Sequence, residues 1–139
     1  MKALELSVLP GEFAICRLDP ADPIPDWAMA GEWFAITRTS RELSVVTRQD
    51  RVPADVRSVP GWRCLEVQGP LEFSEVGIIA SLAGPLAGSG IPISVIATHD
   101  TDYLMVREND LDLALETLTR AGHRVGKPLS PRAPGNARK

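Results

Sequence analysis

The stretch that decides the fold is 74–102, which reads SEVGIIASLAGPLAGSGIPISVIATHDTD. It starts with a polar segment in which Ser74 is placed to cap a helix. The apolar residues that follow recur with helical spacing on one side, at Ile79, Leu82, Ala83 and Leu86. Gly88 and Gly90 then predict a left-handed helix end, after which alternating apolar residues predict a strand. We therefore expect a helix packed on a strand, with polar groups at both ends of this unit.

The flanking residues place this unit in a larger pattern of strands and helices. A strand precedes the helix, and 103–108 predicts a hairpin partner for the strand that follows it. A second helix starts at Asn109 or Asp110 and stops at Gly122, and 123–125 predicts a last short strand. Strand, helix, strand, strand, helix, strand is the order of a ferredoxin-like βαββαβ fold. We therefore predict the α+β class, with two helices covering one face of a four-stranded antiparallel sheet.

The first half of the chain reads as a shortened copy of the second half. Its alternating and β-rich segments predict four strands, at 4–8, 12–18, 32–39 and 42–48. At an offset of 61 positions Leu4 falls on Leu65 and Leu43 falls on Leu104, but prolines occupy the positions of the helices. We predict three parts: a truncated N-terminal unit at 1–61, a complete domain at 62–126 and a disordered tail at 127–139.

Composition restricts the classes of function. With 139 residues and 44% hydrophobic content, the chain can form a compact core without disulfides or metal. Its longest apolar runs are too short to cross a membrane, so we expect a cytoplasmic protein without a membrane partner. The net charge is -3 even though four cationic residues lie in the tail, and such an acidic body is unsuited to nucleic acid. Cys16 and Cys64 each lie in a strand pattern and are expected to be buried, reduced thiols.

The sequence carries few groups with recognisable catalytic chemistry. It contains no G-x-G-x-x-G after a strand, no phosphate-binding G-x-x-x-x-G-K-[ST], and no C-x-x-C or H-E-x-x-H motif, so we predict no cofactor. His99, Asp100 and Asp102 could serve as metal ligands, but a solvated turn or a ligand-contacting loop fits them better. Ser74 and Ser81 lack the nucleophile elbow of serine hydrolases. We therefore expect that the protein is not an enzyme.

The two polar ends of the fold-deciding stretch indicate a binding site instead. A helix N-terminus presents free backbone amides, here those of Glu75, Val76 and Gly77, to a carboxylate. Gly77 would let a ligand approach the backbone closely. The carboxylate of Glu75, or the acidic turn at 100–102, could meet an ammonium group, so an α-amino acid fits the charges at both ends. The alternative is that Ser74 is only a helix cap and 100–102 is only a hairpin turn.

Several motifs in the second half resemble the signature of ACT domains. They are EVGIIA at 75–80, PLA at 85–87, GIPI at 90–93, Thr98, and TDYLMV at 101–106. The first half is similar to the shortened N-terminal unit of small stand-alone tandem ACT proteins of bacteria, through FAITRT at 34–39 and ELSVV at 42–46. The chain also resembles the ACT modules of CASTOR arginine sensors and of aspartokinases. The resemblance covers about 4–125 and implies a truncated ACT-like unit at 1–61 followed by an ACT domain at 62–126.

This resemblance implies a regulatory, non-catalytic protein that binds a small amino acid. Its ligand contacts are expected after the first strand of the ACT domain and in the following hairpin, at Ser74, Glu75, Val76, Gly77, Ile78, Ile79, Thr98, His99, Asp100, Thr101 and Asp102. The resemblance also implies side-by-side homodimers. Two functions stay open: a sensor whose acidic residues select a basic or neutral amino acid, and a ligand-free assembly module that docks on a partner enzyme.

Overall fold

The computed structural model describes residues 3–72 and 74–126. Within them lie eight strands: β1 (Glu5–Val8), β2 (Phe13–Leu18), β3 (Ala35–Arg38), β4 (Leu43–Arg48), β5 (Arg57–Val67), β6 (Ile93–Ala97), β7 (Asp102–Arg107) and β8 (Arg124–Gly126). They also contain two α-helices, α1 (Ile78–Gly88) and α2 (Leu111–Arg120). From β5 to β8 the order is strand, helix, strand, strand, helix, strand, so the prediction of an α+β, ferredoxin-like fold is confirmed. The tail at 127–139, predicted to be disordered, lies outside the described residues.

Two compact units divide the chain. The helical unit comprises Met1–Pro10 and Arg63–Lys139, and the strand unit comprises Gly11–Trp62. The strand β5 begins in the strand unit and ends in the helical unit, and β1 is grouped with the helical unit. The predicted domains at 1–61 and 62–126 follow the sequence repeat, and they stay predictions.

The strand β1 lies inside the sheet of the helical unit and changes its topology. It pairs antiparallel with β5, with Leu6 opposite Val67, and parallel with β8, with Leu6 opposite Val125. Since β7 pairs with both β5 and β6, the strand order of this unit is β6-β7-β5-β1-β8. The sheet is therefore mixed and has five strands. The prediction of a four-stranded antiparallel sheet was wrong, because β1 and β8 are distant in sequence and no local pattern encodes their pairing.

The core of the helical unit lies between this sheet and the two helices. Leu82 and Leu86, on the predicted buried side of α1, are both 0% exposed, whereas Ile79 and Ala83 on the same side are half-buried. Strands contribute alternate residues, because successive side chains point to opposite faces of a sheet. The buried cluster consists of Leu4, Leu6, Leu65, Val67, Leu82, Leu86, Ile91, Leu104, Val106, Ala114 and Leu118.

The strand unit has a smaller core and no α-helix among its residues. It pairs β3, β4, β2 and the first part of β5, in that order. Short 3-10 helices at Asp26–Met29 and Gln49–Arg51 occur in the two connections that correspond in order to α1 and α2. Prolines in these connections remove backbone donors and so prevent a longer helix. The buried cluster of this unit consists of Ala14, Cys16, Ala28, Leu43 and Val45.

The strand β5 is longer than its sequence predicts. Pro60 argues for a loop before Trp62, but the strand already begins at Arg57. Its pairing with β2 shifts register between Phe13 and Ile15, and Gly61 adopts a φ of 86° beside this shift. A β-bulge of this kind accommodates a proline, because it interrupts the ladder of backbone hydrogen bonds.

The hairpins of the two units correspond at an offset of 59 positions. Leu43 and Asp102 begin β4 and β7, Arg48 and Arg107 end them, and each strand is followed by a short 3-10 helix. The predicted offset of 61 is therefore wrong for the hairpins. Side chains alternate with a period of two along a strand, so both offsets keep the same faces aligned. This is why the apolar pattern alone could not distinguish them.

Candidate functional site

Helix α1 begins later than the sequence predicts. Gly77 occupies the cap position with a φ of 82°, which glycine adopts without strain, and no side chain caps the helix. The first helical hydrogen bond runs from the Ser81 amide to the Gly77 carbonyl at 2.9 Å. The prediction that Ser74 caps this helix was therefore wrong. The free backbone donors of the helix start are therefore the amides of 78–80, because the first amides of a helix have no intrahelical acceptors.

A separate turn before the helix explains the difference. The Glu75 amide donates to the Glu72 carbonyl at 3.0 Å, and the Glu75 carboxylate accepts from the Glu72 amide at 3.3 Å. The Glu75 amide is therefore engaged in this turn. The prediction that it is free to bind a carboxylate was wrong. Ser74 is exposed here, and Val76 is 92% exposed.

Two threonines hold the turn between β6 and β7. The Thr98 amide donates to the Thr101 carbonyl at 2.8 Å, and the Thr98 hydroxyl accepts from the Thr101 amide at 3.3 Å. Thr101 is buried, and its hydroxyl donates to the Val67 carbonyl at the end of β5 at 2.6 Å. The Asp100 carbonyl accepts from the Leu71 amide at 2.8 Å. These bonds attach the turn to the end of β5, so both threonine hydroxyls have a structural use.

The helix start and the hairpin turn line one cavity of about 340 Å³. It brings together nine of the predicted site residues, namely Glu75, Gly77, Ile78, Ile79, Thr98, His99, Asp100, Thr101 and Asp102. Ser74 and Val76, which are among the described residues, are not part of its lining. The two chain segments therefore converge as expected, while the binding of a ligand by these residues stays a prediction.

Sequence reasoning missed three residues of this cavity: Leu71, Glu72 and Ala97. The first two follow β5, where no motif marks them. Gly69 is the signal that was available, because a Cβ at this position would lie 3.0 Å from the Asp100 carbonyl oxygen. A glycine at the end of β5 lets the segment before the helix approach the hairpin turn.

The lining of this cavity is strongly acidic, and we call it the acidic cavity. Its described residues include four carboxylates, those of Glu72, Glu75, Asp100 and Asp102, and no lysine or arginine. The His99 Nδ1 atom lies 2.8 Å from Asp100 Oδ1, on a side chain that is 81% exposed. Burial raises the pKa of the Asp102 carboxyl, because a buried charge loses solvation. The excess of negative charge favours a ligand with cationic groups.

The described residues offer little for metal or thiol chemistry. No group of three or more His, Cys, Asp or Glu side chains among them is arranged to hold a metal ion. Cys16 and Cys64 are free and buried, as expected. Burial raises the pKa of the Cys16 thiol to about 11, and burial together with nearby Glu66 raises the pKa of Cys64. Such thiols stay protonated and unreactive at neutral pH. Within residues 3–72 and 74–126, no helix is long and apolar enough to span a bilayer.

Known sequences match both halves of the chain. A family model described as ACT domain matches residues 57–120, and a second model, for an N-terminal domain, matches 11–55. The chain is 33% identical over 102 residues to the protein from Bos taurus named "Cytosolic arginine sensor for mTORC1 subunit 1". It is 34% identical over 96 residues to the Homo sapiens protein of that name. These alignments cover 68% and 63% of this chain but only 31% and 29% of the two relatives.

Solved structures extend the likeness to almost the whole chain. A crystal structure of a protein from Agrobacterium tumefaciens has a TM-score of 0.87 and 42% sequence identity, covering 96% of this chain and 99% of that one. The regulatory subunit of aspartate kinase from Thermus thermophilus has a TM-score of 0.61 over 84% of this chain and 97% of that one. At 12% identity the second likeness shows the fold alone. The family match shows an ACT domain at residues 57–120, and these solved structures show that its fold extends over almost the whole chain.

Proposed function

We propose that the acidic cavity binds a free amino acid with a basic side chain, and that the protein is a regulatory sensor rather than an enzyme. One observation carries the proposal: residues of a helix start and four acidic residues line the same cavity. An amino acid carries a carboxylate and an ammonium group a few bonds apart. The two charges of such a ligand therefore match the two kinds of group on the cavity wall.

The start of α1 is suited to the carboxylate of the ligand. Ile78 and Ile79 line the cavity in the first turn of the helix, where unpaired amides and the helix dipole attract an anion. Gly77 precedes them, and none of the described residues lies within 4 Å of a Cβ placed on it. A carboxylate can therefore approach the backbone without meeting a side chain at this position.

The acidic residues are suited to cationic groups. One α-ammonium group cannot balance the carboxylates of Glu72, Glu75, Asp100 and Asp102, so a second positive charge on the ligand side chain improves the match. A guanidinium group adds planar, paired hydrogen bonds to carboxylates. The name of the curated relatives, which calls them arginine sensors, supports arginine as the first ligand to test.

Thermal unfolding in the presence of each of the twenty amino acids tests the proposal. A ligand at 100 times its Kd stabilises a protein by about 2.7 kcal/mol. Arginine should raise the Tm, and citrulline, which has almost the same shape but a neutral side chain, should raise it less. If no amino acid changes the Tm at millimolar concentration, the sensor function is wrong, and a ligand-free module that docks on a partner enzyme describes the protein better.

We also propose that the protein is cytoplasmic, forms a homodimer and regulates a partner enzyme. Within the described residues β6 pairs with β7 alone, and Val95 on β6 is 39% exposed. Proteins protect such open strand edges, because an uncovered edge pairs with other chains. Sedimentation equilibrium should give twice the chain mass of 15.0 kDa, and a mass of one chain would refute the dimer.

A further inference from the structure

A second cavity lies in the helical unit, where β1, β8 and the end of α2 meet. Its volume is about 480 Å³, and it shares no lining residue with the acidic cavity. Its wall combines apolar residues, Leu6 and Val125, with polar ones, Ser7, Gln68 and Arg124. An apolar wall with a few polar groups, in a volume of roughly 300–1,000 Å³, is typical of sites for small molecules.

Ser7 brings an unused hydrogen-bonding group to this cavity. The residue is 3% exposed, and its Oγ has no hydrogen-bond partner among residues 3–72 and 74–126. In the sheet it lies between Glu66 on β5 and Gly126 on β8. No described residue lies within 4 Å of a Cβ placed on Gly126, so the described part of the chain leaves the position beside Ser7 on this strand open. A buried hydroxyl without a partner costs free energy, and a ligand atom bonded to it would remove that cost.

Arg124 brings a guanidinium group to the cavity, and the carboxylate of Glu5, which lines the same cavity, balances its charge. Arg124 is the only lysine or arginine among the described lining residues, and its guanidinium lies 3.2 Å from Glu5 Oε1. A guanidinium has five N–H donors, so this ion pair leaves donors for a second carboxylate. His123 does not compete for the ligand, because its Nδ1 accepts from the Leu4 amide at 3.1 Å and its Nε2 donates to the Ser81 carbonyl at 3.0 Å. Both ring nitrogens are thus used within the fold.

We propose that this cavity is a second ligand site and that it binds a small dicarboxylic acid. One carboxylate pairs with Arg124, and the other accepts a hydrogen bond from the Ser7 hydroxyl. In register Arg124 lies opposite Glu5, and Ser7 lies two residues further along β1, a separation of about 7 Å along the strand. The two carboxylates of a four-carbon diacid lie closer together than this backbone spacing, and the long Arg124 side chain can reach across the difference. The two cavities share no residue, so failure of this proposal leaves the amino-acid proposal untouched.

A succinate titration of the full chain, followed through amide chemical shifts by NMR, tests the proposal. We expect saturable shifts at the amides of Ser7 and Gly126 at millimolar succinate, and no saturable shift at Gly77. Butyrate has the same carbon number but one carboxylate, and should bind about threefold or more weakly because it loses one hydrogen bond. Absence of saturable shifts at Ser7 and Gly126 in the wild-type protein would overturn the proposal.

Two matched pairs of variants separate binding from folding. Gly126→Leu fills the open position and should abolish the succinate shifts, whereas Gly84→Leu adds the same side chain to open space on α1 and should keep them. Ser7→Ala should weaken succinate roughly three- to tenfold while the Tm without ligand stays the same or rises, since an unpaired hydroxyl is lost. Thr47→Val removes another buried, unpartnered hydroxyl, in the strand unit, and should leave the affinity unchanged. Wild-type affinity in Gly126→Leu or in Ser7→Ala contradicts the site.

Discussion

The helical unit and the strand unit build the same hairpin turn but precede it with different connections. In the helical unit the Thr98 amide donates to the Thr101 carbonyl at 2.8 Å, and in the strand unit the Thr39 amide donates to the Glu42 carbonyl at 2.9 Å. In both turns the threonine hydroxyl accepts a hydrogen bond from a backbone amide. The connection before the hairpin is α1 in one unit, and a proline-rich segment with a 3-10 helix at Asp26–Met29 in the other.

From this difference we predict that the hairpin turn alone does not make a ligand site. The helical unit adds a helix whose start provides backbone amides beside the turn, and whose apolar side covers the sheet. The strand unit keeps the turn and the strands without that helix. We therefore expect changes in either unit to affect stability, and changes around α1 to affect ligand binding as well.

Truncation of the two cores should produce the largest effects. Leu82 on α1 and Leu43 on β4 are both 0% exposed. Replacing either with Ala should lower the free energy of unfolding by about 2–5 kcal/mol, because the lost side chain leaves a cavity. Leu82→Ala should also weaken arginine binding, whereas Leu43→Ala should not. Urea unfolding measures the free energy of unfolding, and calorimetry measures arginine affinity. An equal loss of arginine affinity in both variants would contradict the prediction that only the helical unit takes part in binding.

Two glycines allow a closer test with smaller effects. Gly77 and Gly31 have φ values of 82° and 89°, and no atom of the described part of the chain lies within 4 Å of a Cβ placed on either. Alanine at each position must adopt a left-handed backbone, which costs about 1–2 kcal/mol. Only Gly77→Ala places a methyl group at the acidic cavity, so it alone should weaken arginine binding in calorimetry. If Gly31→Ala weakens binding as much, the effect comes from stability and not from contact with the ligand.

Local patterns predicted the elements of the fold but not all of their pairings. The period of each helix and the alternation of each strand lie within one short segment, so α1, α2 and both hairpins could be predicted. The position of β1 between β5 and β8 depends on residues far apart in sequence, and it left no local signal. At Pro60 a local signal gave a wrong prediction, because proline is a strong signal for a break in a strand. The bulge near Gly61 that accommodates the proline is not visible in the sequence.

The acidic cavity could be predicted in its position but not in its details. A helix start and a hairpin turn at the same end of one sheet must lie close together, which is why the two segments converge. The exact first residue of the helix was missed, because Ser74 followed by Glu75 fits a capped helix start as well as Gly77 does. Glu72 was missed because it enters the cavity through its turn with Glu75, and such a turn has no sequence motif.

The substitution Asp102→Asn should have the smallest effect on stability. Asp102 also distinguishes the two units, because the corresponding residue of the strand unit is Leu43. Burial raises the pKa of the Asp102 carboxyl in the folded state, so the folded protein holds this proton more tightly than the unfolded chain does. The Asp102 carboxyl therefore contributes less to the free energy of unfolding as the pH rises from its pKa in the unfolded chain through its pKa in the folded protein. Asp102→Asn should raise the free energy of unfolding at neutral pH, by less than about 1 kcal/mol because the side chain is partly exposed. Urea unfolding at a series of pH values measures this.

Arginine binding should respond to the same variant with the opposite sign. Asp102→Asn removes one of the four carboxylates of the acidic cavity, so the affinity for arginine should fall while stability rises. In the wild-type protein the affinity should increase as the pH rises through the folded pKa of Asp102, and this dependence should weaken in the variant. Calorimetry across that pH range measures both. If the variant gains stability and keeps its affinity, Asp102 lines the cavity without contacting the ligand, and the cation site reduces to Glu72, Glu75 and Asp100.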